Sequence, residues 1–201
     1  MNIMDVNTHL TDLVIDPNTR NKSNFLLFTN QGRLFKWYNR RKIELMLDTP
    51  SFDWNNEVSL ERSEKIIYGT GTNDYSGYMI FAFTNGKVAK ISMTAYETKN
   101  ERTCLVNAFH TDATLIFIKH IPADLDLIIY SSLKKILVFN TEIINPLATK
   151  NSAGVQILKL RDHTIAAGVK LIPEVTIQDL NYYKRSQAAI GYYQKPGDSV
   201  F

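Results

Sequence analysis

Short apolar runs separated by polar turns recur along the chain, and three of them repeat one hairpin. Each unit has an apolar strand, a polar turn, a basic residue and a second strand. The corresponding positions Thr29, Thr84 and Ser131 are 55 and 47 residues apart. A strand–turn–strand unit with a period near fifty predicts an all-β, propeller-like array of small sheets. The three units are residues 25–37, 80–91 and 127–139.

The remaining segments extend this β pattern. Turn residues support the first two hairpins, since Gly32 and the Asn85-Gly86 pair favour tight turns, whereas the third turn has no glycine. Residues 38–59 are polar with scattered aromatics and predict a long connection. Residues 178–185 predict one or two helical turns. Further strands are predicted at 10–15, 66–68, 114–121, 155–160 and 164–171.

Basic residues keep their register within the repeat. Arg33, Lys87 and Lys135 share the position after the turn, and Lys36 and Lys90 share a later one, where the third unit has Val138. Residues i and i+2 of a strand face the same side of the sheet, so Lys36 lies on the side of Leu34. Recurrence at equivalent positions predicts a discontinuous positive stripe on the outside of the array.

Charge is segregated along the chain, although the net charge is only +3. Residues 17–43 contain seven basic residues and no acidic one, whereas residues 44–64 contain six acidic residues and only Arg62 as a basic one. A segregated basic stretch attracts polyanions. The alternative is a solvated loop, above all for the cluster Arg40, Arg41 and Lys42.

Catalytic and metal-binding patterns do not emerge from the sequence. Cys104 is the single cysteine, which predicts a small core residue in a reducing cytosol. His9, His110, His120 and His163 lack metal-ligand spacing, and Gly69-Thr70-Gly71 lacks the lysine of a phosphate-binding loop. No apolar run approaches the roughly 20 residues of a membrane span, and no signal peptide is recognisable. We therefore expect no metal, no cofactor and no catalytic residue.

The repeated motif resembles the C-terminal domain of the A subunit in bacterial type IIA topoisomerases, the DNA gyrase and topoisomerase IV family. Its blades carry a T-N-x-G-K-V-x-R-I turn and strand, which Thr29-Asn30-Gln31-Gly32-Arg33 and Thr84-Asn85-Gly86-Lys87-Val88 resemble. Segments 124–139, 144–160 and 165–169 resemble later parts of the domain. The resemblance extends over residues 10–172.

Two departures from the family pattern refine this resemblance. Family domains have five or six blades, whereas this chain predicts three to four in an open or partial ring. The glycine- and basic-rich box of gyrases has no match, and the nearest segment is residues 152–159. The departures favour a topoisomerase IV-like or divergent member of the family over one that wraps DNA as gyrase does.

The resemblance implies a β-pinwheel, a propeller variant whose blades exchange strands with their neighbours. It also implies binding and bending of duplex DNA without sequence preference, presentation of the DNA to the cleavage core, and a cytoplasmic, nucleoid-associated location. Magnesium and ATP would belong to the rest of the enzyme, and the partners would be the cleavage domains and the B subunit. The predicted DNA contacts are Arg33, Lys36, Arg40, Arg41, Lys42, Lys87, Lys90, Lys134 and Lys135.

The sequence also predicts how the chain is divided, and it leaves two other functions open. Residues 1–172 are predicted to form the array, and residues 173–201, called the tail below, to dock on it or touch DNA. The alternative function is a protein-interaction module that uses the basic stretch to bind an acidic partner. A third possibility, an enzyme with a site at a central channel, would need convergent polar groups.

Overall fold

The computed structural model describes residues 13–38, 40–49, 57–98, 103–161 and 163–201, without the side chains of residues 40–42 and 46. Within these ranges the chain is nearly all-β, which confirms the predicted fold class. The strands and helices are β1 (Val14–Ile15), β2 (Asn24–Thr29), β3 (Leu34–Trp37), α1 (Arg40–Leu47), β4 (Ile66–Thr72), β5 (Tyr78–Phe83), β6 (Lys87–Ser92), β7 (Cys104–Leu105), β8 (Leu115–Ile121), β9 (Asp126–Ser131), β10 (Lys135–Asn140), β11 (Val155–Gln156), β12 (Ala166–Leu171), α2 (Leu180–Tyr183) and β13 (Tyr192–Tyr193).

The described strands form three open sheets, each built around one of the predicted hairpins. The first has the order β1-β4-β2-β3-β7, the second β11-β6-β5-β8 and the third β12-β9-β10-β13. Strand β7 follows the second hairpin but pairs with β3 of the first, and β11 follows the third hairpin but pairs with β6 of the second. Neighbouring sheets therefore exchange strands, as a pinwheel requires.

Apolar side chains fill the spaces between the sheets. One cluster, with Phe28 and Phe81, joins the first sheet to the second, and another, with Ile80 and Leu137, joins the second to the third. Strand β8 contacts both β4 and β12, so these three strands form the inner side of the array. Strands β7, β11 and β13 lie at the opposite, outer edges.

Residues 173–201 pack on the last sheet. Tyr183 and Val200 are buried against Ile128, Ile136 and Val138 on one face of that sheet. Strand β13 supplies the outer-edge position that β7 and β11 occupy in the other two sheets. The short helix α2 falls within residues 178–185, where helical turns were expected.

The polar connection predicted for residues 38–59 is wrong in part, since α1 forms there. Its residues Arg40–Leu47 include arginine, lysine, glutamate, leucine and methionine, which are strong helix formers. Ile43 is buried against the outer face of the first sheet, and Leu47 packs at the same cluster. Local propensity and one apolar face therefore produce a helix inside a segment whose overall polarity suggested a loop.

Candidate nucleic-acid interface

The tips of the three hairpins lie at one end of the array, called the tip end below. A loop of residues 105–114 joins the first tip to the second, because the Ala108 amide donates to the Gly32 carbonyl and the Thr84 amide donates to the Thr114 carbonyl. A second loop, described over residues 157–161 and 163–165, joins the second tip to the third in the same way, since the Ile157 amide donates to the Gly86 carbonyl and the Ser132 amide donates to the Ile165 carbonyl. The repeat thus brings together turns that are about fifty residues apart in sequence.

The third tip forms its turn without a glycine. Gly32 and Gly86 adopt φ angles of 73° and 77°, a region that glycine enters without steric cost. In the third turn Lys134 takes this conformation with φ 57°, and its amide donates to the Ser131 carbonyl at 2.8 Å. The turn is thus no longer than the first one, and its last residue is an exposed lysine.

Exposed basic side chains outnumber acidic ones at the tip end. Lys134 lies in the third turn and is exposed, whereas Lys87 and Lys135, which follow the second and third turns, are half-buried. The connecting segments add four cations that sequence reasoning missed, namely Arg62, Lys65, Lys159 and Arg161, all exposed. The described acidic side chains at this end are Glu61, Glu64 and Asp112. These four cations reach the tip end because their segments pair with the hairpin turns. The sequence does not show that pairing, so it could not have identified them.

Arg33 also lies at the tip end, but its charge is compensated. Its Nη1 lies 2.7 Å from Oε2 of the buried Glu64 and 3.2 Å from Oε1 of Glu61. Its guanidinium carbon lies 4.8 Å from the centre of the Phe35 ring. With 16% of its side chain exposed, Arg33 is available to a phosphate only at the cost of these pairings.

Lys36 and Lys90 do not lie on an outer stripe, so the sequence prediction for these two is corrected. Both are buried, with relative exposures of 1% and 2%. The Lys36 Nζ donates to the Tyr96 carbonyl at 2.8 Å, and the Lys90 Nζ donates to Asp124 Oδ1 at 2.5 Å. The two lysines occupy equivalent positions because each one bonds to a neighbouring unit of the array. Their burial keeps a phosphate from reaching either ammonium group.

Arg40, Arg41 and Lys42 form the first turn of α1. Their side chains lie outside the described part of the structure, so their role in DNA binding stays a prediction. The helix packs on the outer face of the first sheet through Ile43.

A cavity of about 290 Å³ lies beside the inner strands. Apolar residues line it together with Lys119, Lys170 and Glu174, and Tyr68 and Tyr130 contribute aromatic rings. Desolvation by burial raises the pKa of Tyr130. This lining contains no serine, cysteine or histidine.

Neither a metal centre nor a membrane-spanning helix is found in the described ranges. No group of three His, Cys, Asp or Glu side chains there could hold a metal ion. His9 lies outside these ranges. Among the helices of the described residues, none has the length and apolarity needed to cross a membrane.

Comparison with known proteins identifies similar chains. The A subunit of DNA gyrase from Staphylococcus epidermidis is 25% identical over 147 residues, which cover 72% of this chain and 16% of that protein. The A subunit of DNA gyrase from Staphylococcus aureus is 24% identical over 166 residues, which cover 79% of this chain and 19% of that protein. The chain therefore spans less than a fifth of the curated relatives it matches. No protein-family model matches it.

Solved structures agree with these similarities. The C-terminal domain of DNA topoisomerase IV superposes with a TM-score of 0.64 at 21% identity, covering 89% of this chain and 61% of that one. The DNA gyrase A C-terminal domain superposes with a TM-score of 0.62 at 16% sequence identity. The match covers 92% of this chain and 66% of that one. The E. coli ParC C-terminal domain superposes with a TM-score of 0.64 at 13% sequence identity. The match covers 89% of this chain and 78% of that one. The chain has the fold of these domains, and the resemblance inferred from the repeated motif is confirmed.

Proposed function

We propose that this chain is the DNA-binding C-terminal domain of the A subunit in a type II topoisomerase, divergent from those of gyrase. The observation that carries the proposal is the coincidence of this fold with a row of exposed and half-buried cations at the hairpin tips. Lys87, Lys134 and Lys135 were predicted from sequence, and Lys159 and Arg161 lie on the loop between their turns. These side chains would contact phosphates and not bases, so binding would be independent of sequence.

The physical basis of the proposed binding is counterion release. Each phosphate neutralised by a lysine or arginine frees condensed cations, so the logarithm of affinity falls with the logarithm of salt concentration by about 0.9 per contact. Contacts spread over three tips would favour a curved duplex, and they would offset a bending cost of a few kcal/mol.

In the intact enzyme the domain would hold and bend DNA and present it to the cleavage core. Strand cleavage with magnesium and ATP hydrolysis would belong to other domains and to the B subunit. A cytoplasmic, nucleoid-associated location would follow from this role. The chain itself would contribute binding energy and no chemical step.

The test is a titration of a duplex of about 40 base pairs across salt concentrations. We expect binding whose salt slope falls when Lys87 and Lys159 are both changed to Gln. Lys119→Gln and Lys170→Gln, on the inner strands, remove the same charge and serve as the matched control, with an unchanged slope. If both double variants lower the salt slope equally, net charge and not the position of the cations at the tip end governs binding.

Absence of duplex binding even at low salt would overturn the proposal. The protein-interaction module predicted as the alternative would then account for the fold. In that case the basic tip end would pair with an acidic protein partner, which crosslinking to the remainder of the assembly would detect.

A further inference from the structure

The third hairpin tip differs from the other two in the aromatic rings beside its cations. The Lys134 Nζ lies 5.5 Å from the centre of the Phe201 ring, and the Lys135 Nζ lies 4.9 Å from that of Tyr193. Both rings are exposed, Phe201 to 46% and Tyr193 to 63%. At the first tip the ring under Arg33 is Phe35, which is only 5% exposed.

The fold holds these two rings in place from opposite sides of the turn. Tyr193 belongs to β13 and pairs with Lys135 of β10 across the sheet. The Phe201 ring packs edge-on against Tyr130, with 5.1 Å between ring centres. Leu133, at the apex of the turn, is 50% exposed. The tip thus presents fixed apolar and aromatic surface beside two ammonium groups.

Duplex DNA cannot use such a surface fully, since its base faces are covered by stacking. A strand with unpaired bases can, because each base has a free π-face for an aromatic ring while its phosphates reach nearby cations. Exposed aromatic rings interleaved with lysines are the combination that single-strand binding surfaces use. The positive charge of the tip favours a polyanion over a neutral apolar partner.

We propose that the third hairpin tip binds single-stranded DNA. Tyr193 and Phe201 each stack on an unpaired base, and Lys134 and Lys135 contact nearby phosphates. The inference rests on the proposed function in that nucleic acid is the partner. It goes beyond it by assigning unpaired bases to two rings that lie beside lysines also proposed to contact duplex phosphates.

The experiment compares binding of an oligothymidylate of about 12 nucleotides with binding of the 40-base-pair duplex at fixed salt. We expect Tyr193→Ala and Phe201→Ala each to weaken single-strand binding roughly tenfold. Tyr193→Phe and Phe201→Tyr keep the aromatic rings and should bind the oligothymidylate as tightly as the wild type does. Duplex affinity should change by less than about twofold in all four variants, since phosphate contacts do not need the rings.

A spectroscopic readout separates stacking from mere proximity. An oligonucleotide carrying 2-aminopurine should lose fluorescence on binding the wild type and the ring-preserving variants, and should keep it with the alanine variants. Single-strand affinity unchanged by both alanine variants overturns the inference, and duplex binding then leaves the proposed function standing. Single-strand binding that depends on the rings without duplex binding would support the inference and remove the proposed function.

Discussion

The Nζ of Lys36 donates a hydrogen bond to the backbone carbonyl of Tyr96, 2.8 Å away, and so joins the first hairpin to the 3₁₀ helix that follows the second. Thr98 Oγ1 accepts a further bond at 3.0 Å. Lys90 repeats the arrangement one unit later, since its Nζ donates to the carbonyl of Thr141, in the 3₁₀ helix that follows the third hairpin. The repeated lysine thus connects neighbouring units.

Lys36→Met is therefore expected to lower the free energy of unfolding by about 1–3 kcal/mol, because the buried Tyr96 carbonyl loses its donor while the side-chain volume is kept. Chemical denaturation measures this change. The DNA salt slope of the variant should equal that of the wild type. Lys87→Met is the matched control, with little effect on stability and a reduced slope. A reduced slope for Lys36→Met without loss of stability would contradict the buried role.

The sequence already contained a sign that Lys36 and Lys90 are buried. Lys36 shares its side of the strand with Leu34, and Lys90 shares its side with Val88, both fully buried. A lysine on an apolar face is a candidate for burial with a partner, but its acceptor, Tyr96, lies 60 residues away. Hairpin positions and fold class were predictable because they depend on local alternation and turns. The acceptors were not, since they depend on how units pack.

The tip end was only half predictable for the same reason. Lys87, Lys134 and Lys135 stand at turns that the pattern identifies, whereas Lys159 and Arg161 reach the tips through a loop whose course is set by backbone pairing with Gly86 and Ser132. Helix α1 was missed because polarity over residues 38–59 outweighed the helix-forming residues of its first half. Tertiary placement, and not composition, decides these cases.

The ion pair of Lys90 with Asp124 should make stability depend on acidic pH. Partial burial raises the pKa of the Asp124 carboxyl, but hydrogen bonds from Lys90 and Thr141 and the charge of Lys90 outweigh burial and lower it overall. A carboxyl with a lowered folded-state pKa stabilises the protein above its unfolded value of about 3.9. That contribution is lost as the pH falls through the folded value.

Wild type and Asp124→Asn should thus differ in unfolding free energy at pH 6, and the difference should shrink as the pH falls below the unfolded value of about 3.9. Urea denaturation across this range measures both curves. Asp74→Asn is a useful comparison because the pKa of Asp74 is also lowered, chiefly by hydrogen bonds from Ser76, without a buried lysine. A difference between wild type and Asp124→Asn that does not shrink at all as the pH falls below the unfolded pKa would rule out the ion pair as its source.

Lys134 is held at φ 57°, where a side chain is strained and glycine is not. Lys134→Gly is expected to raise the free energy of unfolding by up to about 1 kcal/mol, after allowing for the greater freedom of glycine in the unfolded chain. Lys134→Ala removes the same charge and keeps the strain, so it should give no gain. Thermal unfolding of the two variants checks the difference, and equal stabilities would show that the turn carries no strain.

The hydroxyl of Tyr183 donates to Asp198 Oδ2 at 2.6 Å and accepts from the Lys195 amide at 2.7 Å, which ties the tail to itself over the last sheet. Burial of the ring and the bond to Asp198 raise the pKa of Tyr183 to about 12. A raised folded-state pKa contributes stability below the ordinary value of about 10, and the contribution is lost as the pH rises toward 12.

Tyr183→Phe should lower the free energy of unfolding by about 1–3 kcal/mol at neutral pH, because Asp198 and the Lys195 amide lose a buried partner.

The tail packs on Ile128, Ile136 and Val138, so we expect one cooperative transition in which array and tail unfold together. Circular dichroism and tyrosine fluorescence should then give coincident midpoints. Tyr182→Phe is the control, with an expected change within about 0.5 kcal/mol. A separate, earlier transition in Tyr183→Phe alone would instead make residues 173–201 an independent unit that docks on a self-sufficient array.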